Sequence, residues 1–138
     1  MVKKFNIQYI KFQKVQIKEI LILGEYMRKI RLITTDELRL LNQILKNVYQ
    51  SRKDRFFYVY EVVTLNDGGM GSFCFYYNNG VDPGKLEDKV YAIGEIEFFD
   101  IDNVGCLATL YAYNDNRVAE LDIWKYDFSQ LKQIPKYF

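Results

Sequence analysis

The 138-residue chain contains no histidine. That absence removes Ser-His and Cys-His nucleophile systems, His-ligated zinc and the usual side-chain switch near neutral pH. Cysteine is scarce. Cys74 and Cys106 are too few for a disulfide framework and lack metal-ligand spacing. Each stands in an apolar, strand-like run, where a free thiol behaves as a small buried hydrophobe. Both read as reduced core residues, and a cytoplasmic protein is expected. Net charge is nearly absent too, with 19 Lys and Arg against 18 Asp and Glu, or +1. The chain therefore has no strong overall basic field, which argues against a nucleic-acid partner. No apolar run approaches the roughly 18 residues that cross a bilayer. The longest candidate, Ile20–Leu23, is far too short, so no membrane association is expected. Met1-Val2-Lys3-Lys4 is basic like the start of a signal peptide, but neither an apolar stretch nor a small-residue cleavage site follows.

What is present is an ordinary globular composition, 49% hydrophobic and 27% charged, in a length suited to one domain. Charge is unevenly spread. Residues 1–26 hold five Lys and two Glu, a net of +3, and the remainder holds 14 basic and 16 acidic residues, a net of −2. This shift divides the chain into a basic extension, 1–26, and a single α+β domain, 27–138. Leu23-Gly24-Glu25-Tyr26-Met27 can also be encoded by a ribosome-binding sequence placed just before an ATG. We hypothesise that the native protein starts at Met27 and that residues 1–26 are a translated leader. A peptide from residues 5–11 recovered in the natural host would refute this.

Periodicity sets the element order. Thr34 and Glu37 form a Thr-x-x-Glu capping box, with Asp36 and Glu37 in the first turn, where the helix dipole favours acids. Leu38, Leu41, Ile44, Leu45 and Val48 follow the 3.6-residue period, which predicts a helix over about 35–50 with one buried stripe. From Phe56 the period changes to two. Strands are expected at Phe56–Leu65, Ser72–Asn78, Lys89–Phe99, Cys106–Tyr113 and Val118–Tyr126, joined by turns rich in Gly, Asn and Asp. Short turns make neighbouring strands antiparallel. The expected fold is one N-terminal helix on a four- to five-stranded antiparallel meander. Ala119, Leu121 and Ile123, with Val90, Ala92, Ile96 and Phe98, should meet the helix.

Two constellations invite a functional reading. The loop Asp67-Gly68-Gly69-Met70-Gly71-Ser72 is Gly-rich, and such backbone can cradle anions. It lacks the Gly-Lys-Ser/Thr ending of a P-loop and precedes no helix, so a glycine-bulged hairpin is the leading interpretation. Met70 at its tip would be an adaptable contact residue. The second constellation is acidic. Strand parity places Glu95, Glu97, Glu120, Asp122 and Trp124 on the face away from the helix. Thr109, Tyr111 and Tyr113 lie on the strand expected between them. Such a face can be merely solvated, can bind a basic partner, or can use its carboxylates for acid–base work or Mg²⁺. An open face does not shield carboxylates from water, which places catalysis last. Asp100-x-Asp102-Asn103 has part of a calcium-loop pattern, but its twelfth position is Tyr111, so it reads as a polar turn. The 12 Tyr and 10 Phe lie mostly in strands without flanking Lys or Arg, as packing residues rather than base-stacking platforms.

Met27-Arg28-Lys29, the Thr34–Leu38 helix start, Asn66–Ser72, Glu120-Leu121-Asp122-Ile123-Trp124-Lys125 and Asp127-Phe128-Ser129 occur in that order. In this the chain resembles a family of small bacterial α+β proteins with no established activity, itself similar to immunity proteins of toxin systems. The resemblance covers about 27–131 and transfers no catalytic role. It implies a non-enzymatic, immunity-type inhibitor of a basic toxin domain. Binding would use Glu95, Glu97, Tyr111, Glu120, Asp122 and Trp124, with the 66–72 loop as a secondary contact and without a cofactor or metal. The alternative is a small-molecule-binding or enzymatic domain that uses the Gly-rich loop.

Overall fold

The computed structural model describes residues 29–77 and 89–138. The expected extension 1–26, the start at Met27 and the loop at 79–84 lie outside the described residues.

The capping box forms as the sequence predicts. Thr34 Oγ1 accepts the Glu37 N–H at 3.1 Å, and Glu37 Oε1 accepts the Thr34 N–H at 2.9 Å. Helix α1 runs Thr35–Tyr49. Its buried stripe is Leu40, Leu41, Ile44, Leu45 and Val48, begun by Glu37. Leu40 takes the place expected for Leu38, which is only half-buried. Leu38, Leu40 and Leu41 are all apolar, so apolarity alone left the phase of the stripe open by part of a turn.

Among the described residues there are six strands, not four or five: β1 Ile30–Leu32, β2 Glu61–Thr64, β3 Phe73–Phe75, β4 Val90–Phe99, β5 Gly105–Tyr113 and β6 Val118–Lys125. They form one sheet in the order β1-β2-β3-β6-β5-β4, every pair antiparallel. This is not a simple meander. Two three-stranded units join along β3 and β6, paired at Phe73↔Leu121 and Cys74↔Glu120. The sixth strand is β1, Ile30–Leu32, too short for a period of two to show in the sequence. The run 56–65 is strand only at its end. Its start turns aside, and Phe57 makes an isolated bridge to Arg117.

The helix packs on one face of the sheet. Small residues there let it approach: a Cβ on Gly94 would lie 2.5 Å from Val48 Cγ2, and Ala108 and Ala112 are fully buried. Two bulges correct the expected core. In β4 the register shifts between Ala92 and Gly94. An extra residue in one strand reverses the facing of what precedes it. Ile93 is therefore buried and Ala92 exposed. In β6 the shift lies between Val118 and Glu120, so Val118 rather than Ala119 joins the helix-side core. The cysteines divide between faces. Cys106 is buried in the core as expected, whereas Cys74 is half-buried beside Glu120 in register, away from the helix.

Candidate functional site: an acidic and aromatic sheet face

The face away from the helix carries the residues singled out in the sequence. Glu95, Thr109 and Asp122 stand in one cross-strand row. Glu97, Leu107 and Trp124 form the next. Tyr111 pairs with Glu120, which pairs in turn with Cys74. Tyr111 registers the collected charge. Burial first, then the fields of Asp122, Glu120 and Glu95, push its phenol above the usual value.

The face is not uniformly open. Glu95 and Glu97 are exposed, Tyr111 and Asp122 half-buried, and Glu120 fully buried. Glu120 is therefore a framework carboxylate under the surface rather than a contact residue. Strand parity assigned its face but could not show its depth. Asp122 is partly engaged, since the Ser72 hydroxyl lies 3.1 Å from its Oδ1.

At the end of this face the sequence reading missed two of the three grouped aromatics, Tyr126 and Phe128. Trp124 is 43% exposed, Tyr126 38% and Phe128 69%. Trp124 meets both of the others: Trp124 and Tyr126 have centroids 5.1 Å apart at 70°, and Trp124 and Phe128 6.2 Å apart at 50°. Gly105 makes this possible, because a Cβ there would meet the Tyr126 ring at 2.6 Å. The Tyr126 hydroxyl donates to Glu97 Oε2. That bond, with lesser help from desolvation, pushes the phenol up to about 12. Phe128 adopts φ +63°, a backbone region that L residues rarely occupy. Asp127 Oδ1 accepts the Ser129 N–H at 3.0 Å and braces this bend. The signal was legible: the alternation Asp122, Trp124, Tyr126, Phe128 continues past the end of β6.

The Gly-rich loop is a hairpin connection between β2 and β3. Gly68, Gly69 and Gly71 all take positive φ. Two of its amides are used internally, with Asp67 accepting from Met70 N–H at 3.0 Å and Ser72 N–H at 3.1 Å. Ser72 is fully buried, and its hydroxyl accepts the Ile123 N–H at 2.9 Å. Met70 is not an exposed tip either. It is half-buried, and its sulfur lies 3.4 Å from the Lys125 amide nitrogen. The C-terminal segment lies over the glycines, with Leu131 N–H donating to Gly69 O at 3.0 Å.

Lys125 ends β6 on the other face, and its side chain is fully buried. Its ammonium meets Asp100 at 2.8 Å, Asp102 at 2.6 Å and Gln130 O at 3.0 Å. The Asp100 carboxylate also accepts the Ile101, Lys132 and Gln133 amides at 2.6, 2.7 and 3.0 Å. Burial alone would raise the Asp100 pKa, but these bonds outweigh it and hold the carboxyl below its ordinary range. The 100–104 segment is thus a polar turn whose carboxylates serve a lysine. Among the described residues no group of three or more His, Cys, Asp and Glu is arranged to hold a metal.

Residues 30–135 match the family described as "Domain of unknown function (DUF6984)". The chain belongs to the DUF6984 family. The matched span takes in α1, all six strands and the segment that closes over Asp100. No curated protein and no solved structure matches this DUF6984 chain. Among its described residues no helix is long and apolar enough to cross a membrane.

Proposed function

We propose that this DUF6984 protein is a non-enzymatic binding protein whose acidic and aromatic sheet face takes a basic partner. The observation that carries this is the exposed Trp124–Tyr126–Phe128 group beside Glu95, Glu97 and Asp127. Contiguous exposed aromatics mark interfaces, because their burial supplies much of the association energy. A rim of one charge selects a partner of the other and steers its approach. An immunity-type role, in which the partner is a basic toxin domain in the cytoplasm, suits such a surface. The contact set is Glu95, Glu97, Asp122 and Trp124 with Tyr126 and Phe128; Glu120 and Ser72 act beneath it.

The test is affinity capture from the natural host with the full chain and a Glu95→Lys/Glu97→Lys variant. Both positions are exposed, so the variant keeps its fold. The expected result is a basic protein retained by the parent and lost by the variant. Rebound as a purified pair, it should weaken about tenfold or more as salt shortens the screening length. Equal retention by parent and variant would overturn the reading.

A further inference from the structure

We infer that Trp124, Phe128 and Glu97 form a receptor for one arginine side chain of the partner. The inference rests on the binding reading above and names the chemistry at its centre.

A ring face attracts a cation through its quadrupole, and a nearby carboxylate adds a directional acceptor. Both are in place. The indole and phenyl rings stand 6.2 Å apart at 50°, both exposed, next to a tyrosine that holds Glu97 by one oxygen. Among the described residues Glu97 makes no other hydrogen bond, and it stands in the same cross-strand row as Trp124, with Leu107 between them. Among the same residues no Lys or Arg lies over Trp124, Tyr126 or Phe128.

The chain also shows what this arrangement holds. At the start of β6 the Arg117 guanidinium lies 4.5 Å from the Tyr113 ring centroid and 5.1 Å from that of Tyr77. Asp115 Oδ2 accepts its Nε–H at 2.7 Å. Aromatic faces plus one carboxylate hold an internal guanidinium there. The Trp124 group repeats those parts, with no Lys or Arg from the described residues over its rings. A guanidinium suits it better than an ammonium, because a planar fork can stack on a ring while donating sideways to a carboxylate. Phe128 strengthens the argument, since its φ of +63° keeps a large ring against Trp124 and in solvent.

Trp124 is the only tryptophan in the chain, so its fluorescence reports on this site directly. The full chain is titrated with N-acetyl-arginine amide and with N-acetyl-citrulline amide, its neutral counterpart. A saturable change with the first and none with the second is expected. Glu97→Gln and Phe128→Ala should each weaken the arginine response about fivefold. Both side chains are exposed, and circular dichroism checks that the variants fold. Equal responses to the two amides, or none across the millimolar range, would overturn the receptor. If the parent chain still retains its basic partner in that case, only the receptor falls. If retention fails as well, the binding reading falls with it.

Discussion

The Asp100 carboxylate accepts from a buried ammonium and three backbone amides, so its removal strands several donors together. Asp100→Ala should cost about 3 kcal/mol, read from urea unfolding of the full chain. The sign of the pH dependence follows from the depressed pKa. Asp100 releases its proton more readily folded than unfolded, so its contribution is complete above an ordinary carboxylate pKa of about 4. It is lost as the pH falls through that value towards the lower folded one. Glu37 adds in the same direction. Burial would raise its pKa, but the bonds from Arg31 and Thr34 outweigh that and lower it. The Asp100→Ala chain should therefore show a shallower loss of stability in acid than its parent. Part of this was readable beforehand. Lys125 shares parity with Leu121 and Ile123, and a lysine on a core-facing row calls for a buried partner. Its partners were not readable, because a turn between strands and the C-terminal segment meet it only in three dimensions.

At the scale of elements, α1 was the most legible, since a cap and a 3.6-residue stripe coincide within one segment. The long strands β4, β5 and β6 were nearly as clear. What parity missed were the bulges at Ile93 and Ala119, because an extra residue changes facing without changing composition. Gly94 stands just past the first of them, under the helix. Gly94→Ala puts a methyl group 2.5 Å from Val48 Cγ2 and 3.2 Å from Ile44 Cγ2. Two stiff β-branched side chains cannot both yield, so the substitution should cost about 2 kcal/mol. Pairing it with Val48→Ala should recover part of that loss, and a double-mutant cycle in denaturant measures the coupling.

Across the whole molecule, charge and aromatic rings are sorted along β6. Its first end meets Arg117 stacked on Tyr113 and Tyr77, near Arg52 and Arg55 on Phe56 and Tyr49. Its last end carries Trp124, in one cross-strand row with Glu97 across Leu107. The sequence showed the acidic group because its members alternate within strands. It hid the arginine stacks, because they form in turns and chain reversals that no regular period marks, and one of them, Arg117 on Tyr77, joins distant segments. Strand order was hidden too. Local turns dictate the β4-β5-β6 unit, whereas nothing local brings β3 to β6.

That junction has a consequence in time. The β4-β5-β6 unit needs only neighbouring segments to meet, but the sheet is complete only when Ser72 reaches Ile123, 51 residues away. Ordering so long a loop precedes any reward from the contact, so the junction should close last on folding and open first on unfolding. Native-state hydrogen exchange should find the Phe73 and Cys74 amides less protected than those of Ala108 and Leu110 in the middle of β5. The sheet would then behave as two folding units, with Ser72 as the latch between them.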